Sequence, residues 1–567
     1  MSMSIILPSI TINRWEEAGA SLMVTLKDYA DLCLNLSPNS LDCIMKPGDM
    51  GARIDSTLEA ISNQLLQIGS TLARTRNRLV TPLHKLPEEI LSKIFMNVTF
   101  DIGYSESSIK QDLCLIYRRL YGLLGVCSAW RDIIMARGAF WSVIPIVENP
   151  STNKIGSFEL SIHRARGSKR HLVAVAESPE TFRDLIQVLT KYGPHIDTIN
   201  LNIGDHRVIV EAIELLLHHD TAKPLAELSI QSIYANNAPD WLPSYDDYVI
   251  PLDYAHQSSF VSLLGTLTVF RISGAHFHWE TMAFSTRLVE LEIENITLGY
   301  DHEIEPFLQA LCSASELRDL RITTMDTFFI PDLMDDIELS SPVVFPRLQS
   351  LHVQDVFFNT LRLLLAMIAP GSHCLSLFLG PPSLLNNLKE LDFFMEPHPE
   401  HEFRSVDIGN LCKILKQVSV HTLMLSGAGG KWLTGDMLRQ LMEAVPTLKI
   451  LKIHNWDFNR TVWTSLKRPM IDEGNPQERS FPALETIQLS KATILVKKGF
   501  QDMVASHPLQ RIALGGISRV ASSDEIKQGP LEERSSMVRW LRYNVPEFRL
   551  FDSGYHPPEF QPGRWPL

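Results

Sequence analysis

The sequence predicts an α/β protein in which a helical N-terminal region precedes a long array of strand–helix units. Three observations lead to this prediction. A short apolar motif of the type L-x-x-L-x-L recurs about eleven times after residue 155, helical segments lie between many of its copies, and the preceding part of the chain shows helical spacing of its apolar residues. A chain of 567 residues is long enough for several domains or for one long repeat array.

The first 80 residues predict two helices separated by a break that contains prolines and a glycine. Apolar side chains recur at near-heptad spacing from Trp15 to Cys33, and they alternate at intervals of four and three residues from Ile54 to Leu79. We expect either an antiparallel hairpin, packed on itself or on the next segment, or self-association through a coiled coil of the second helix.

Residues 84–98 read HKLPEEILSKIFMNV and predict a short helix. Pro87 stands at its first position, where a missing N–H costs nothing, and two glutamates follow in the first turn, where negative charge suits the helix dipole. The apolar stripe is wide for so short a helix, so the helix must be buried in its own domain or against a partner. Downstream, LLGVCSAWRDI at 123–133 and a Phe140-Trp141 pair supply further apolar residues.

These three pieces resemble the F-box, a three-helix module that docks onto the Skp-family adaptor of cullin–RING ubiquitin ligases. The resemblance covers about residues 84–145. Residues 99–112, which link the first two helices, are more numerous than is usual in the family, and this leaves the path of the loop open. A buried helical hairpin of another domain is the alternative. The resemblance implies that the core and the adaptor-facing surface are formed by Leu86, Pro87, Ile90, Leu91, Ile94, Phe95, Leu123, Val126, Cys127, Trp130 and Trp141.

The recurring motif of the second part is short, alternating and compatible with a β-strand. Its copies follow one another at intervals of about 21 to 46 residues. Prolines often stand just before the next strand, as in Val445-Pro446 and His507-Pro508, where they stop a helix. Helical segments are predicted between copies at residues 208–219, 304–312, 359–368 and 434–444. The last two core positions of the copies are Ile199/Leu201, Leu228/Ile230, Phe270/Ile272, Leu291/Ile293, Leu320/Ile322, Leu351/Val353, Leu377/Leu379, Leu423/Leu425, Leu451/Ile453, Ile487/Leu489 and Ile512/Leu514.

A strand and a helix repeated at this period predict an irregular leucine-rich-repeat solenoid, or horseshoe, because one unit cannot bury its apolar face and neighbours must share a core. A doubly wound α/β domain also alternates strands and helices, but it does not need the same core motif in every unit. The asparagine that commonly follows the strand is mostly absent, with Asn295 and Asn455 as exceptions, so we expect irregular turns.

The predicted organisation is a helical hairpin or coiled coil at residues 1–80, an F-box at 81–150, the repeat solenoid at 151–550 and a tail at 551–567. The tail is aromatic and rich in proline, and it either caps the last repeat or is disordered. In this combination the chain resembles a large group of fungal F-box proteins.

The composition is that of an ordinary folded protein, with 45% hydrophobic and 21% charged residues. The net charge of −13 and a pI near 5.8 argue against general affinity for nucleic acid or for an anionic membrane. Seven cysteines are scattered without a CxxC pair, and no secretory signal or membrane span is visible. We therefore expect a cytoplasmic or nuclear protein with reduced thiols.

No pattern in the sequence predicts catalysis or a cofactor. His398 and His401, with glutamates nearby, form the best metal-like cluster, but their order is not H-E-x-x-H and Pro399 indicates a loop. A solvated polar insertion accounts for these residues. An enzyme that binds a metal through these two histidines is the alternative.

The resemblance implies the substrate-recognition subunit of an SCF-type ubiquitin ligase, a receptor that is not itself an enzyme. The F-box would bind the Skp-family adaptor and, through it, cullin, and an unidentified protein target would bind the concave sheet, where side chains between the core leucines point outward. A scaffold that binds the adaptor without delivering partners to ubiquitin transfer shares all these features, and only cullin recruitment would separate the two. The residues at the outward position are Ser229, Arg271, Glu292, Arg321, His352, Met424, Lys452 and Gln488.

Overall fold

The chain forms two compact units, Met1–Leu91 and Ser92–Leu567. The structure is a computed structural model. The residues that it describes are 6–35, 47–80, 86–101, 108–148, 156–165, 167–218, 225–232, 243, 248–252, 257–329, 342–388, 403–427, 432–469, 481–521 and 526–561.

Two long helices make up most of the first unit, α1 (Ile6–Leu34) and α2 (Pro47–Val80). Of the residues predicted to break the chain, Pro38 lies outside the described residues, and Pro47 and Gly48 instead begin α2, as the first position of a helix allows for proline. The apolar stripe of α2 is exposed at Leu58, where 62% of the residue is accessible, and also at Leu65 and Leu72. This stripe is therefore not buried within the single chain, and its closure in a hairpin or a coiled coil stays a prediction.

Three shorter helices follow, α3 (Glu88–Phe100), α4 (Ile109–Val126) and α5 (Ser128–Ala136). The link between α3 and α4 is shorter than predicted, since both helices extend into it and only residues 101–108 remain. The start of α4 is fixed by a capping box. Ser108 Oγ accepts from the N–H of Gln111, and the N–H of Ser108 donates to Gln111 Oε1 over 3.1 Å.

The second unit contains a sheet of sixteen strands among its described residues, together with a separate pair formed by the two short strands β10 and β11. The strands are β1 (Val143–Val147), β2 (His171–Ala176), β3 (Thr198–Ile203), β4 (Glu227–Ser232), β5 (Val269–Ser273), β6 (Glu290–Tyr300), β7 (Asp319–Phe328), β8 (Ser350–Gln354), β9 (Cys374–Leu379), β10 (Leu385–Asn387), β11 (Phe403–Ser405), β12 (Val420–Ser426), β13 (Ile450–His454), β14 (Asp457–Phe458), β15 (Thr486–Ile494), β16 (Arg511–Ala521), β17 (Ile526–Pro530) and β18 (Glu547–Phe551).

Helices alternate with these strands, and each packs against the next helix along the chain over much of the array, as α10 does on α11 and α13 on α14. The four helical segments predicted between motif copies are confirmed as α8, α10, α11 and α13. The helices are α6 (Gly156–Arg164), α7 (Pro179–Tyr192), α8 (His206–His218), α9 (Gln257–Leu264), α10 (Ile304–Leu311), α11 (Phe358–Met367), α12 (Ile408–Leu415), α13 (Gly435–Ala444), α14 (Arg460–Leu466), α15 (Lys497–Ala505) and α16 (Ser536–Asn544).

The strand order is that of a solenoid. From β1 to β16 the strands of the main sheet pair in parallel and in the order of the sequence, with β14 joined to the side of β15. A doubly wound domain would instead reverse its strand order at a switch point. The motif leucines, such as Leu291 and Ile293, are fully buried in one continuous core with the helices. The unit is therefore a solenoid of leucine-rich strand–helix repeats, in which neighbours share one core.

The turns that follow the strands are more regular than predicted. In six repeats the second residue after the core pair has a positive φ of 47° to 65°, and its N–H often continues the ladder, as when Asn455 donates to Ser490 O over 2.9 Å. The prediction of irregular turns is wrong at these positions because one backbone conformation is built with several residue types. The six residues are Gly274, Asn295, Thr324, Asp355, Asn455 and Lys491.

Candidate functional site

The helical module, α3–α5, exposes apolar side chains along α3. Ile90, Ile94 and Val98 recur at every fourth residue and so share one face of the helix, and 38% of Ile94 is accessible. Leu91 and Phe95, on another face, are buried. A helix at the surface of a domain normally has charged or polar residues opposite its buried stripe. In α3 that side carries Glu89, Lys93 and Asn97, and the exposed apolar face lies between it and the buried stripe.

Aromatic side chains form the interior of the module. The ring centroids of Phe95 and Trp130 lie 4.5 Å apart, which joins α3 to α5. Trp141, just after α5, is fully buried, and its Nε1–H donates to Ile134 O over 3.2 Å. The guanidinium group of Arg164 lies 4.6 Å from the centroid of the same ring. Phe95 and Trp141 are thus enclosed in the module, whereas Trp130 and Arg164 are half-buried.

Arg119 of α4 fixes the end of α3. Its Nη1 donates to the carbonyl oxygens of Val98, over 3.1 Å, and of Asp101, over 2.7 Å. Carbonyl groups at the end of a helix lack partners within the helix, and a positive charge there is favourable. The exposed face of α3 is thus carried on a helix whose end is anchored.

The residues that the F-box resemblance identified fall into three groups according to their exposure. Leu86, Pro87, Ile90, Ile94 and Val126 are exposed, with 54% of Val126 accessible. Three are half-buried, Leu123, Cys127 and Trp130, and three are buried, Leu91, Phe95 and Trp141.

Three exposed apolar residues of the module are missing from the set that the resemblance identified, Val98 on α3, Tyr121 on α4 and Met135 on α5. Tyr121 and Met135 were missed altogether. The pattern of α4 contains a signal for the first of them. Ile116 and Leu120 mark its buried face at helical spacing, and Tyr121 lies off that face.

The open face of the sheet, defined as the face opposite the helices, carries the residues predicted between the core leucines. Successive side chains of a strand point to opposite faces, so these residues turn away from the core. In strands β4 to β8 they stand side by side as a row in register, formed by Ser229, Arg271, Glu292, Arg321 and His352.

Charges on this row compensate one another. Arg271 Nη2 lies 2.7 Å from Glu290 Oε1 on the next strand, and Arg271 Nε lies 3.7 Å from Glu292 Oε2. Burial raises the pKa of Glu292, and the neighbouring charges of Arg321 and Arg271 oppose this effect. Burial also lowers the pKa of His352 to about 4, so this imidazole is neutral at pH 7. Arg321 is the exposed cation of the row.

The remaining predicted residues do not continue this row. Strand β9 places Ser376 beside His352, whereas Phe378 is beside Gln354. Met424, Lys452 and Gln488 are in register with Phe378. They therefore form a second row, displaced by two residues along the strands from the first. Leu375, Leu377 and Leu379 of β9 are all buried, and the apolar pattern alone therefore fits two registers.

The C-terminal segment, residues 552–561, lies on the open face along this second row. Glu559 Oε1 is 2.6 Å from Lys452 Nζ. The ring centroid of Phe560 lies 5.2 Å from that of Phe378, and both side chains form one buried cluster with Met424. Two alternatives were predicted for the tail, a cap on the last repeat and a disordered segment. Its described part instead packs on the sheet, where its apolar and acidic side chains find complementary partners.

Two histidines stack where the segment meets the sheet. The ring centroids of His454 and His556 are 4.3 Å apart. Burial and the neighbouring His556 and Lys491 lower the pKa of His454 to about 4, against the influence of Glu559. Burial acts to raise the pKa of Glu559, but its hydrogen bond with Lys452 and the charge of that lysine outweigh this effect and lower it. At pH 7 the segment therefore presents a carboxylate to an ammonium group.

Among the described residues, no group of three or more His, Cys, Asp or Glu side chains is placed to hold a metal ion. His398 and His401 lie outside the described residues. No helix in the described part of the chain combines the length and the apolar character that crossing a membrane requires.

No protein-family model matches the chain, and no curated protein matches it. Among solved structures, the complex of Rad7 and Elc1 in yeast is similar at 12% identity and a TM-score of 0.34, over 79% of this chain and 94% of that one. The leucine-rich repeat-containing protein LegL7 from Legionella pneumophila is similar at 13% identity and a TM-score of 0.31, over 71% of this chain and 97% of that one. The TLR13–ssRNA13 complex is similar at 12% identity and a TM-score of 0.31, over 65% of this chain and 47% of that one. At these TM-scores the similarities carry no argument about function.

Proposed function

We propose that this chain is the substrate-recognition subunit of an SCF-type cullin–RING ubiquitin ligase. The helical module is then an F-box that binds a Skp-family adaptor, the adaptor connects the chain to cullin, and the open face binds a protein target. The observation that supports this proposal best is the exposed apolar face of α3, formed by Ile90, Ile94 and Val98.

Such a face is costly to leave in water. Burying an aliphatic side chain of this size contributes about 1.5–3 kcal/mol. The residues that would bury the face from within the module already pack elsewhere, since Phe95 contacts Trp130 and Trp141 lies in the interior. Apolar residues grouped in this way on a folded surface mark a site for another protein. The F-box resemblance identifies that protein as the adaptor.

The target surface in this proposal is the open face of β4 to β8. The C-terminal segment covers Lys452 and Met424 further along, whereas Arg321 on β7 is exposed. The row of Ser229, Arg271, Glu292, Arg321 and His352 carries both signs of charge, and a protein surface of complementary charge can pair with it. The predicted horseshoe form would make this face concave and extend its contact with a target.

The chain itself forms and breaks no bond in this mechanism. Ubiquitin is carried as a thioester by another protein of the ligase. By binding the adaptor at the helical module and the target at the sheet, the chain raises the effective concentration of a target lysine near that thioester.

Co-purification with a Skp-family adaptor tests the proposal, with wild type compared to the double variant Ile94→Asp/Val126→Asp. Both side chains are exposed, so the variant should fold, and loss of two apolar contacts should weaken binding at least about thirtyfold, or about 2 kcal/mol. The matched control is Tyr543→Asp on α16, which introduces the same charge at a residue that is 89% accessible. It should bind like wild type. Failure of folded wild-type protein to bind the adaptor would overturn the proposal.

Addition of cullin to the purified complex separates a ligase receptor from a scaffold. Recruitment of cullin by the complex supports the receptor. If the adaptor binds through α3 and cullin is not recruited, the chain is an interaction scaffold and the ligase role is wrong.

A further inference from the structure

The C-terminal segment is a self-contained turn. The N–H of Tyr555 donates to Asp552 O over 3.0 Å, that of Phe560 to Pro557 O over 3.1 Å and that of Gln561 to Pro558 O over 3.0 Å. Gln561 Nε2 also donates to His556 O, over 3.2 Å. These bonds close within residues 552–561. Strand β18, which precedes the segment, instead pairs with β16 through its backbone.

Side chains attach this turn to the sheet. The carboxylate of Glu559 meets Lys452 Nζ, and it also accepts a hydrogen bond from Gln488. The ring of the next residue, Phe560, meets Phe378 edge to face at 76° and stacks at 26° on His454, with centroids 5.0 Å apart. Two consecutive residues of the turn thus bind two neighbouring features of the sheet. Glu559 binds a cation, and Phe560 binds an aromatic pocket.

We infer that this part of the open face is a binding site for a short protein segment in which an acidic residue is followed directly by an aromatic one. The chain fills the site with its own Glu559-Phe560. A target segment of the same chemistry displaces it. This inference rests on the proposed function in that the segment belongs to the ligase target, and it assigns that target a recognition chemistry that the charged row of β4 to β8 does not.

Two features of the structure make displacement feasible. The ion pair is partly open to water, with about a quarter of each side chain accessible, so water can hydrate both charges as the pair separates. Residues 552–554, which connect the turn to β18, are exposed. The turn can therefore leave the sheet without the loss of any strand pairing. While it is tethered, however, its high effective concentration lowers the apparent affinity for any competing segment.

Binding of a fluorescent peptide of sequence YHPPEFQ, copied from residues 555–561, tests the inference on the full-length chain. The variant Glu559→Ala/Phe560→Ala vacates the site, and we expect it to bind the peptide at least about tenfold more tightly than wild type does, because the tethered competitor is gone. A peptide with the same residues in scrambled order should not bind. Equal, weak binding by wild type and variant would overturn the inference.

A charge exchange shows whether the peptide occupies the inferred site. Lys452→Glu, added to the vacated variant, should abolish binding of YHPPEFQ and favour YHPPKFQ. The matched control is Lys498→Glu, the same charge change at an exposed residue of α15 that belongs to neither row of the open face, and it should leave peptide binding unchanged. If the Lys452→Glu variant keeps the affinity for YHPPEFQ, the site is elsewhere and the inference is wrong.

Should the vacated variant fail to fold, the single variant Glu559→Gln takes its place. It keeps Phe560 in its pocket and removes only the charge. We expect this variant, too, to bind the peptide YHPPEFQ more tightly than wild type does. The peptide experiment requires no adaptor. Loss of adaptor binding with intact peptide binding contradicts the ligase proposal alone, and the reverse result contradicts the peptide site alone.

Discussion

Thr327 Oγ1 donates a hydrogen bond to Asp301 Oδ1 over 2.7 Å, and both side chains are buried. Asn359 Nδ2 donates to the same carboxylate oxygen over 2.7 Å, and the N–H of Asn387 donates to Asn359 Oδ1 over 3.1 Å. Asp301 follows β6, Thr327 lies on β7, Asn359 on α11 and Asn387 on β10. A chain of polar side chains thus connects successive repeats inside a core that is otherwise apolar.

Replacement of Asp301 should disturb several repeats together. Asp301→Ala removes the acceptor that Thr327 and Asn359 share, and the loss of two buried hydrogen bonds is costly, so we expect the free energy of unfolding to fall by about 2–3 kcal/mol. Urea denaturation followed by tryptophan fluorescence measures the change. The control is Glu303→Ala, at a neighbouring acidic residue whose side chain is 41% accessible, and it should change the free energy of unfolding by less than about 0.5 kcal/mol. Equal effects of the two substitutions would contradict a structural role for the network.

Gly427 is required by a close approach of two backbones. A Cβ at this residue would overlap the carbonyl oxygen of Asn455, and the N–H of Gly427 already donates to His454 O over 2.9 Å, so neither strand can move apart freely. We expect Gly427→Ala to lower the free energy of unfolding by about 1–3 kcal/mol. Gly122→Ala in α4, where nothing lies within 4 Å of the added methyl group, should raise it by about 0.5–1 kcal/mol. Thermal unfolding of the two variants measures both changes. A Gly427→Ala variant as stable as wild type would show that the two backbones can separate.

The left-handed turn position offers a reciprocal test. Thr324 has φ of 47° and Asn295 has φ of 54° at equivalent places in adjacent repeats. Asparagine tolerates this conformation and a β-branched residue does not, so Thr324→Asn should stabilise the fold and Asn295→Thr should destabilise it, each by about 1 kcal/mol. Changes of the same sign in denaturation experiments would mean that side-chain contacts outweigh the backbone at these turns.

Attachment of the C-terminal segment should weaken in acid. The pKa of His454 is lowered to about 4 from an ordinary 6.5, so the attached form favours the neutral imidazole, and its stability is full above pH 6.5 and is lost as the pH falls towards 4. The groups that face this ring are His556, Lys491 and Glu559, with Ser490 Oγ 2.8 Å from Nδ1.

Limited proteolysis between pH 7 and pH 5 measures this attachment. Cleavage within residues 552–561 should accelerate as the pH falls in wild type, and it should change less in His454→Gln, which cannot gain the charge. Since acid also alters protease activity, each rate is normalised to cleavage of the unfolded protein. Identical pH profiles would show that His454 does not control the segment.

The repeated core was predictable because it depends on composition at fixed spacing. Leucine or isoleucine at the motif positions, such as Leu320 and Ile322, specifies a buried strand, and the helices between copies follow from the 3.6-residue period. Strands β1, β2 and β18 were not predicted. In β2, for example, Val173 and Val175 are buried as well as Leu172 and Ala174, so a strand covered on both faces loses its alternation.

Features that depend on contacts between distant segments were not predictable. The sequence of α3 does not show which of its apolar faces Trp130 covers, because that depends on how the helices pack. The register of β9 depends on its neighbours and not on its own pattern. Nothing local in the Pro558-Glu559-Phe560 sequence indicates a partner 107 positions away, at Lys452.

The sequential strand order has a consequence for how the gene can change in length. Each strand of the array is hydrogen-bonded to those before and after it, so a duplicated or deleted strand–helix unit would leave the other pairs unchanged. The distance between the helical module and the last strands would then change in steps of about 4.8 Å, the spacing of paired strands. Under the proposed function, duplication and deletion would thus adjust how far from the adaptor a target is held, while the surfaces at the two ends stay as they are.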